Sequence, residues 1–93
     1  MKIRFYQVTM NRHYDYPAAV PVTESETIVN RIGLSPTVKN VKRFIERHTD
    51  LMIDTRWMSV AEQIHDGMSC GYFSINLVTG TEFETCSIGF MEV

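Results

Sequence analysis

Apolar and polar residues alternate at the start of the chain. Ile3 and Phe5 fall on one parity, Lys2 and Arg4 on the other, and Tyr6, Val8 and Thr9 favour extended backbone. By Val8 and Met10 the apolar residues have moved to the Lys2/Arg4 parity, which predicts a strand over 2–10 covered on both faces at its far end. Residues 11–23 carry Pro17 and Pro21 without any period, so they read as a loop holding His13, Tyr14, Asp15 and Tyr16. A loop of that length is either a functional element or a crossover pinned to the core by its two tyrosines.

Helical signals follow. Thr23 and Glu26 match a capping box, Ile28, Val29 and Ile32 form a stripe, and Gly33 suits a C-terminal cap, which together predict a short helix over 24–32. A strand over 26–32 competes with it, because Thr27, Ile28 and Val29 are all β-branched. Ser35 followed by Pro36 looks like an N-cap and first helical residue. At 100° per residue Val38, Val41, Phe44, Ile45 and His48 share one arc, so a helix is expected over 36–48. In a third helix, capped by Asp54 or Thr55 and ended by Gly67, Trp57, Val60, Ala61 and Ile64 form the apolar stripe. Ser59 and Glu62 offer a second capping box that would start it at 60 instead.

The last third reads as a hairpin of strands 71–78 and 81–88 around Val78-Thr79-Gly80. That register sets Leu77 opposite Thr81, Ile75 opposite Phe83 and Phe73 opposite Thr85. Phe73, Ile75, Leu77 and Phe83 are then buried, and Glu82 and Glu84 lie outside with Ser74 and Asn76. Gly89, within the resumed apolar run Ile88, Phe90 and Val93, is expected at a bulge. The expected fold is a single α+β domain, 1–93: a three-stranded antiparallel sheet, made of the N-terminal strand and the hairpin, packed against two or three short helices.

Ninety-three residues, 44% apolar and 22% charged, suit one small globular domain. No apolar run approaches the roughly 18–20 residues of a membrane span. The opening Met1–Phe5 is a charged alternation, unlike a secretory leader, so a cytoplasmic protein with two reduced, unbridged cysteines, Cys70 and Cys86, is expected. The net charge of -2 conceals a marked asymmetry. All nine Lys and Arg lie in the first 56 residues beside six Asp and Glu, leaving +3 there, whereas residues 57–93 carry five acidic residues and no Lys or Arg, leaving -5.

Known chemistries find little support. No phosphate-binding glycine loop or dinucleotide fingerprint is present. His13, His48, His65, Cys70 and Cys86 lack the close spacings of structural zinc sites, and no nucleophile motif surrounds either cysteine, so no cofactor, metal or catalytic residue is assigned. Lys39, Lys42, Arg43 and Arg47 form a basic stripe on the helix 36–48, but Glu46 interrupts it and Lys42–Glu46 is an i, i+4 pair. Direct nucleic-acid binding is also disfavoured by the overall acidity. Glu82 and Glu84 on the hairpin, with Tyr72, Glu62 and Asp66, form the acidic counterpart, suited to a basic groove on a larger protein.

In size and composition alone the chain resembles phage-encoded inhibitors of host defence or nucleic-acid enzymes. That resemblance implies a non-enzymatic, stoichiometric inhibitor or adaptor acting in a host cytoplasm and docking its acidic hairpin on a basic, nucleic-acid-binding surface. Two alternatives stand beside it: a nucleic-acid-associated regulator using the helix 36–48, and a small catalytic or ligand-binding domain using loop 11–23.

Overall fold

The computed structural model describes residues 2–93; Met1, the first residue of the opening alternation, lies outside them. The chain runs β1 (Arg4–Tyr14), β2 (Val22–Leu34), α1 (Val38–His48), α2 (Val60–Met68), β3 (Tyr72–Leu77) and β4 (Glu84–Glu92). It is an α+β fold whose four strands form one antiparallel sheet in the order β2-β1-β4-β3, with both helices on one face. No helix among the described residues is long and apolar enough to cross a membrane.

The core lies between that face and the helices. Tyr6, Val8 and Met10 of β1, Phe73, Ile75 and Leu77 of β3, and Cys86, Ile88 and Phe90 of β4 meet Val41, Phe44 and Ile45 of α1 and Val60 and Ile64 of α2. Aromatic rings fill its centre. Phe73 and Phe90 stack at 4.7 Å, and Tyr6 and Phe44 meet Phe90 edge-on at 6.2 and 5.5 Å. Burial holds the Tyr6 phenol above its usual pKa, with the nearby Glu92 carboxylate adding to the shift.

Several expectations from the sequence need correction. Residues 24–32 are not a helix but the middle of the 13-residue strand β2, paired with β1 from Arg4↔Leu34 to Tyr14↔Val22. The β-branched Thr27, Ile28, Val29 and Ile32 prevail over the capping box, and the Thr23 hydroxyl that would have capped a helix instead meets His13 Nδ1 at 2.9 Å. The sheet therefore has four strands, not three. β1 continues to Tyr14, and the long loop shrinks to a turn at 15–21. A hairpin running past the core needs no apolar face, so its alternation disappears; the helix-facing positions grade from buried Met10 to half-exposed Arg12 and Tyr14. This overhang stretches the molecule to 47 × 26 × 25 Å.

The parity of β1 is also the reverse of its first residues. Tyr6, Val8 and Met10 face the helices, and Ile3 and Phe5 stay exposed, with the Arg31 guanidinium 4.3 Å above the Phe5 ring. Finally, β3 and β4 pair as Phe73↔Phe90, Ile75↔Ile88 and Leu77↔Cys86, five residues from the expected register. Pairing with Ile88 and Phe90 buries more apolar surface than pairing with Phe83 and Thr85, and the connection lengthens to 78–83 to allow it. Phe83 is left exposed, its ring 5.9 Å from that of Tyr16. Gly89 is in regular ladder, not a bulge: the Tyr72 ring lies over it, 3.0 Å from where a β-carbon would stand.

α1 starts later than Ser35-Pro36 suggests, whereas α2 starts where the Ser59/Glu62 box sets it, not at Asp54 or Thr55. Thr37 caps α1 by accepting from Asn40 N at 3.2 Å, and Val38 at its first turn is exposed. Ser59 caps α2 in the Ser59/Glu62 box, so the helix begins at Val60.

Candidate interaction surface around Trp57

The segment between the helices is fastened to the outer edge of β3. Val78 N donates to the Met52 carbonyl at 2.7 Å, Ile53 bridges Leu77, and Asp54 N donates to the Asn76 carbonyl at 2.8 Å. The chain then turns on one carboxylate: Asp54 accepts from Arg56 N, Nε and Nη2 at 3.0, 3.1 and 2.8 Å. Those charge-assisted bonds hold the Asp54 carboxyl down at about 2.

Gln63 secures the segment from inside. It is the only buried polar side chain among the described residues, 4% exposed, and its amide is fully engaged. Nε2 donates to the Asp54 and Met58 carbonyls at 3.2 and 3.1 Å, and Oε1 accepts from Asn76 N at 2.8 Å. One residue on α2 thus ties the inter-helix loop to β3.

Between Arg56 and Ser59 the fastened loop carries Trp57, 88% exposed. The sequence pattern places Trp57 on the buried stripe of a third helix; the Ser59 cap starts that helix three residues later, and the indole is left in solvent. Met52, 75% exposed, projects from the same loop. A groove of about 560 Å³ on one side of Trp57 is lined by Val38 and Lys42 of α1 and Met58 and Glu62 at the start of α2. A second, of about 630 Å³, separates Trp57 and Arg56 from Leu77, Gly80, Glu82 and Glu84.

The 78–83 connection that forms the far wall with Glu84 has its own order. The Thr79 hydroxyl lies 2.9 Å from the Thr81 carbonyl and 2.8 Å from that of Glu84, and Phe83 N donates to Thr81 Oγ1 at 3.0 Å. Asp15 N donates to the Phe83 carbonyl at 2.8 Å, and the Tyr16 hydroxyl donates to Glu84 at 2.6 Å, which raises the phenol's pKa. Tyr14, Tyr16 and Phe83 pack together there, so the two tyrosines pin the β1–β2 turn to this loop and not to the core.

Of the acidic candidates, Glu82, Glu84 and Glu62 border the Trp57 grooves. Glu82 is exposed, whereas Glu84 is half-buried and lies on the helix-facing side opposite Tyr14, not with Ser74 and Asn76. Tyr72 stands at the other end of β3 on the open face of the sheet, and Asp66 is exposed further along α2; neither joins the grooves. Lys39, Lys42, Arg43 and Arg47 are all exposed on α1, and the expected Lys42–Glu46 pair is absent from the ion pairs of the described residues.

Cys70 is exposed after α2, whereas Cys86 is buried opposite Leu77, and both thiols are free. Burial pushes the Cys86 thiol up, against the influence of Arg12, which keeps it protonated and a poor nucleophile. His48 is exposed, its ring 4.3 Å from that of Phe44. No three His, Cys, Asp or Glu side chains converge as a metal site would require among the described residues.

Sequence reasoning missed Gln63 and misplaced Trp57. The Ser59/Glu62 box is the signal that leaves Trp57 outside the helix, but nothing in the sequence marks Gln63, whose partners are backbone atoms of other elements. Comparison of the chain with protein-family models, curated proteins and solved structures found no match in any of the three.

Proposed function

We propose that this chain is a non-enzymatic protein-binding module, whose surface centres on Trp57 and the acidic loop 78–84 and meets a basic surface on a larger protein. The observation that carries the reading is a tryptophan left in solvent on a loop fastened at Met52, Asp54, Met58 and Ile53. Exposing an indole forgoes the favourable burial of a large apolar surface. Fixing its loop in advance lowers the entropy lost on binding, and tryptophan and arginine dominate binding hot spots. Glu82 and Glu84 on one flank supply charge that favours a basic partner and speeds encounter. Their position next to Trp57 supports the acidic-hairpin reading made from sequence, with Tyr72 and Asp66 left outside the contact. The likeness in size and composition to phage-encoded inhibitors fits a stoichiometric blocker of a nucleic-acid-binding groove.

Exposed basic residues on α1, in no ion pair among the described residues, favour a second reading, nucleic-acid association through Lys39, Lys42, Arg43 and Arg47. Affinity capture from cells that naturally make the chain, with nuclease treatment, separates the two. Trp57→Ala and Glu82→Lys should each abolish or strongly weaken capture of a protein partner, and Lys42→Glu with Arg43→Glu should leave it intact. The opposite pattern, with binding that falls steeply with salt, would assign function to α1.

A further inference from the structure

The sheet has two edges, and the fold closes only one. β3 is covered by α2, by the 52–54 segment and by Gln63, which take up the outward N–H and carbonyl of Asn76. β2 has β1 on its inner side and, among the described residues, no strand beyond it. Among the described residues no backbone hydrogen bond leaves Val22–Leu34 on its outer side. Its second half is irregular, with register shifts opposite Tyr6–Thr9, but Val22–Thr27 is an unbroken ladder against Thr9–Tyr14 and is exposed on both faces. Alternate residues of such a strand turn both backbone groups outward, so about three N–H and three carbonyl groups stand ready to pair. Of the devices that ordinarily guard an open edge, lysine, proline and a bulge are absent from this stretch, and the guard present is the charge of Glu24 and Glu26.

Charge selects the occupant. Glu24 and Glu26 share the helix-facing side and are exposed; Arg12 of β1 stands directly across from Glu24, but neither carboxylate makes an ion pair or hydrogen bond among the described residues. The hydroxyls on the other side are already engaged, Thr23 with His13 and Ser25 with Asn11. A second copy of this chain fits badly. Two-fold pairing centred on Glu24, Ser25 or Glu26 sets Glu24 on Glu24, Glu24 on Glu26, or Glu26 on Glu26, and directly opposed like charges destabilise a sheet. A strand carrying lysine or arginine at alternate positions sets opposite charges there instead.

We propose that the outer edge of β2 at Val22–Thr27 is a strand-addition site for an extended basic segment of a partner protein. Backbone pairing supplies the affinity, and Glu24 and Glu26 select basic side chains at every second residue. It is separate from the Trp57 surface.

The test uses the full chain and an eight-residue peptide alternating lysine with valine or threonine. Controls are the same peptide with glutamate for lysine, and the lysine peptide methylated on alternate amide nitrogens, which keeps its charge but cannot extend a ladder. Amide exchange and chemical shifts across the protein report the place of binding. The lysine peptide should slow exchange at alternate amides within 22–27. Its affinity should fall about tenfold for Glu24→Lys with Glu26→Lys, whose circular dichroism checks the fold, and be lost on methylation; the glutamate peptide should not bind. Equal affinity for the methylated peptide, shifts confined to the Glu82 loop, no binding at millimolar peptide, or concentration-dependent protection of 22–27 in the protein alone would each overturn the proposal.

Discussion

Gly67 of α2 packs its α-carbon against the Tyr72 carbonyl at the start of β3, so closely that a β-carbon at position 67 would overlap that oxygen and stand 2.5 Å from the Phe73 α-carbon. The glycine does not end the helix, which continues to Met68; it lets α2 lie directly on the edge of β3. That approach brings Gln63 within reach of Asn76, and through Gln63 it fixes the loop that carries Trp57. Gly67→Ala should therefore cost about 3 kcal/mol or more, because backbone on both sides must move. At roughly 4–8 °C per kcal/mol for a domain of this size, the melting temperature should fall by more than about 12 °C. Gly80→Ala, which meets nothing within 4 Å, should melt within a few degrees of the parent. Equal melting of the two variants would contradict the packing.

Gln63→Ala should destabilise the fold by about 1–3 kcal/mol, the range for leaving buried backbone groups unpaired. The loss should concentrate in the loop: amide exchange at Asp54 and Asn76 should speed up far more than at Val8 or Ile88. Unchanged protection at those two amides would show that Gln63 does not hold the loop.

Asp54 makes a pH prediction with a definite sign. Its carboxyl is lowered from 3.8 to about 2, mainly by side-chain bonds from Arg56 and then by the Arg56 backbone N–H. A depressed carboxylate contributes stability that is fully present above its unfolded pKa and lost as pH falls through the folded value. The Asp54–Arg56 turn should thus survive the ordinary carboxylate range and open only toward pH 2. A carboxyl-detected titration should place Asp54 near 2 in the parent and close to its usual value in Arg56→Ala; a midpoint near 4 in the parent would contradict the geometry.

The two thiols should differ in reactivity. In native protein Cys70 should alkylate readily and Cys86 only slowly, at a rate that tracks unfolding, since Cys86 is buried with its sulfur 3.3 Å from Met10 Sδ. Unfolding without reductant should expose two free thiols by intact mass. Equal native rates would mean that Cys86 does not lie in the core.

What was legible in the sequence follows from where each segment's partners lie. The buried face of α1 was readable because Val41, Phe44 and Ile45 recur at helical spacing on one element. β2 was readable only as a competitor, since its capping motif is local whereas its pairing with β1 is not. The β3–β4 register escaped because Val78-Thr79-Gly80 suits a tight turn, while the preference for Ile88 and Phe90 emerges only when both strands meet the same core. Glu82 and Glu84 were recognised as acidic residues of the hairpin, on the outer face of a strand over 81–88, but their closeness to Trp57 depends on the 52–54 segment bonding to β3. Glu82→Lys should leave stability unchanged, whereas Glu84→Lys also removes the 2.6 Å bond from Tyr16 and should lower the melting temperature.

Trp57 is the only tryptophan in the chain, so its fluorescence reports on the proposed contact directly. The decisive measurement is its emission and iodide quenching as a captured, purified partner is titrated in, with the partner's own signal subtracted. In the free protein the emission should be that of indole in water and freely quenched. Saturating partner should shift it to shorter wavelength and shield it, with a one-to-one endpoint and binding lost in Trp57→Ala. A partner that binds fully while Trp57 stays red-shifted and open to iodide, or a free protein whose indole is already shielded, would contradict a docking surface centred on this residue.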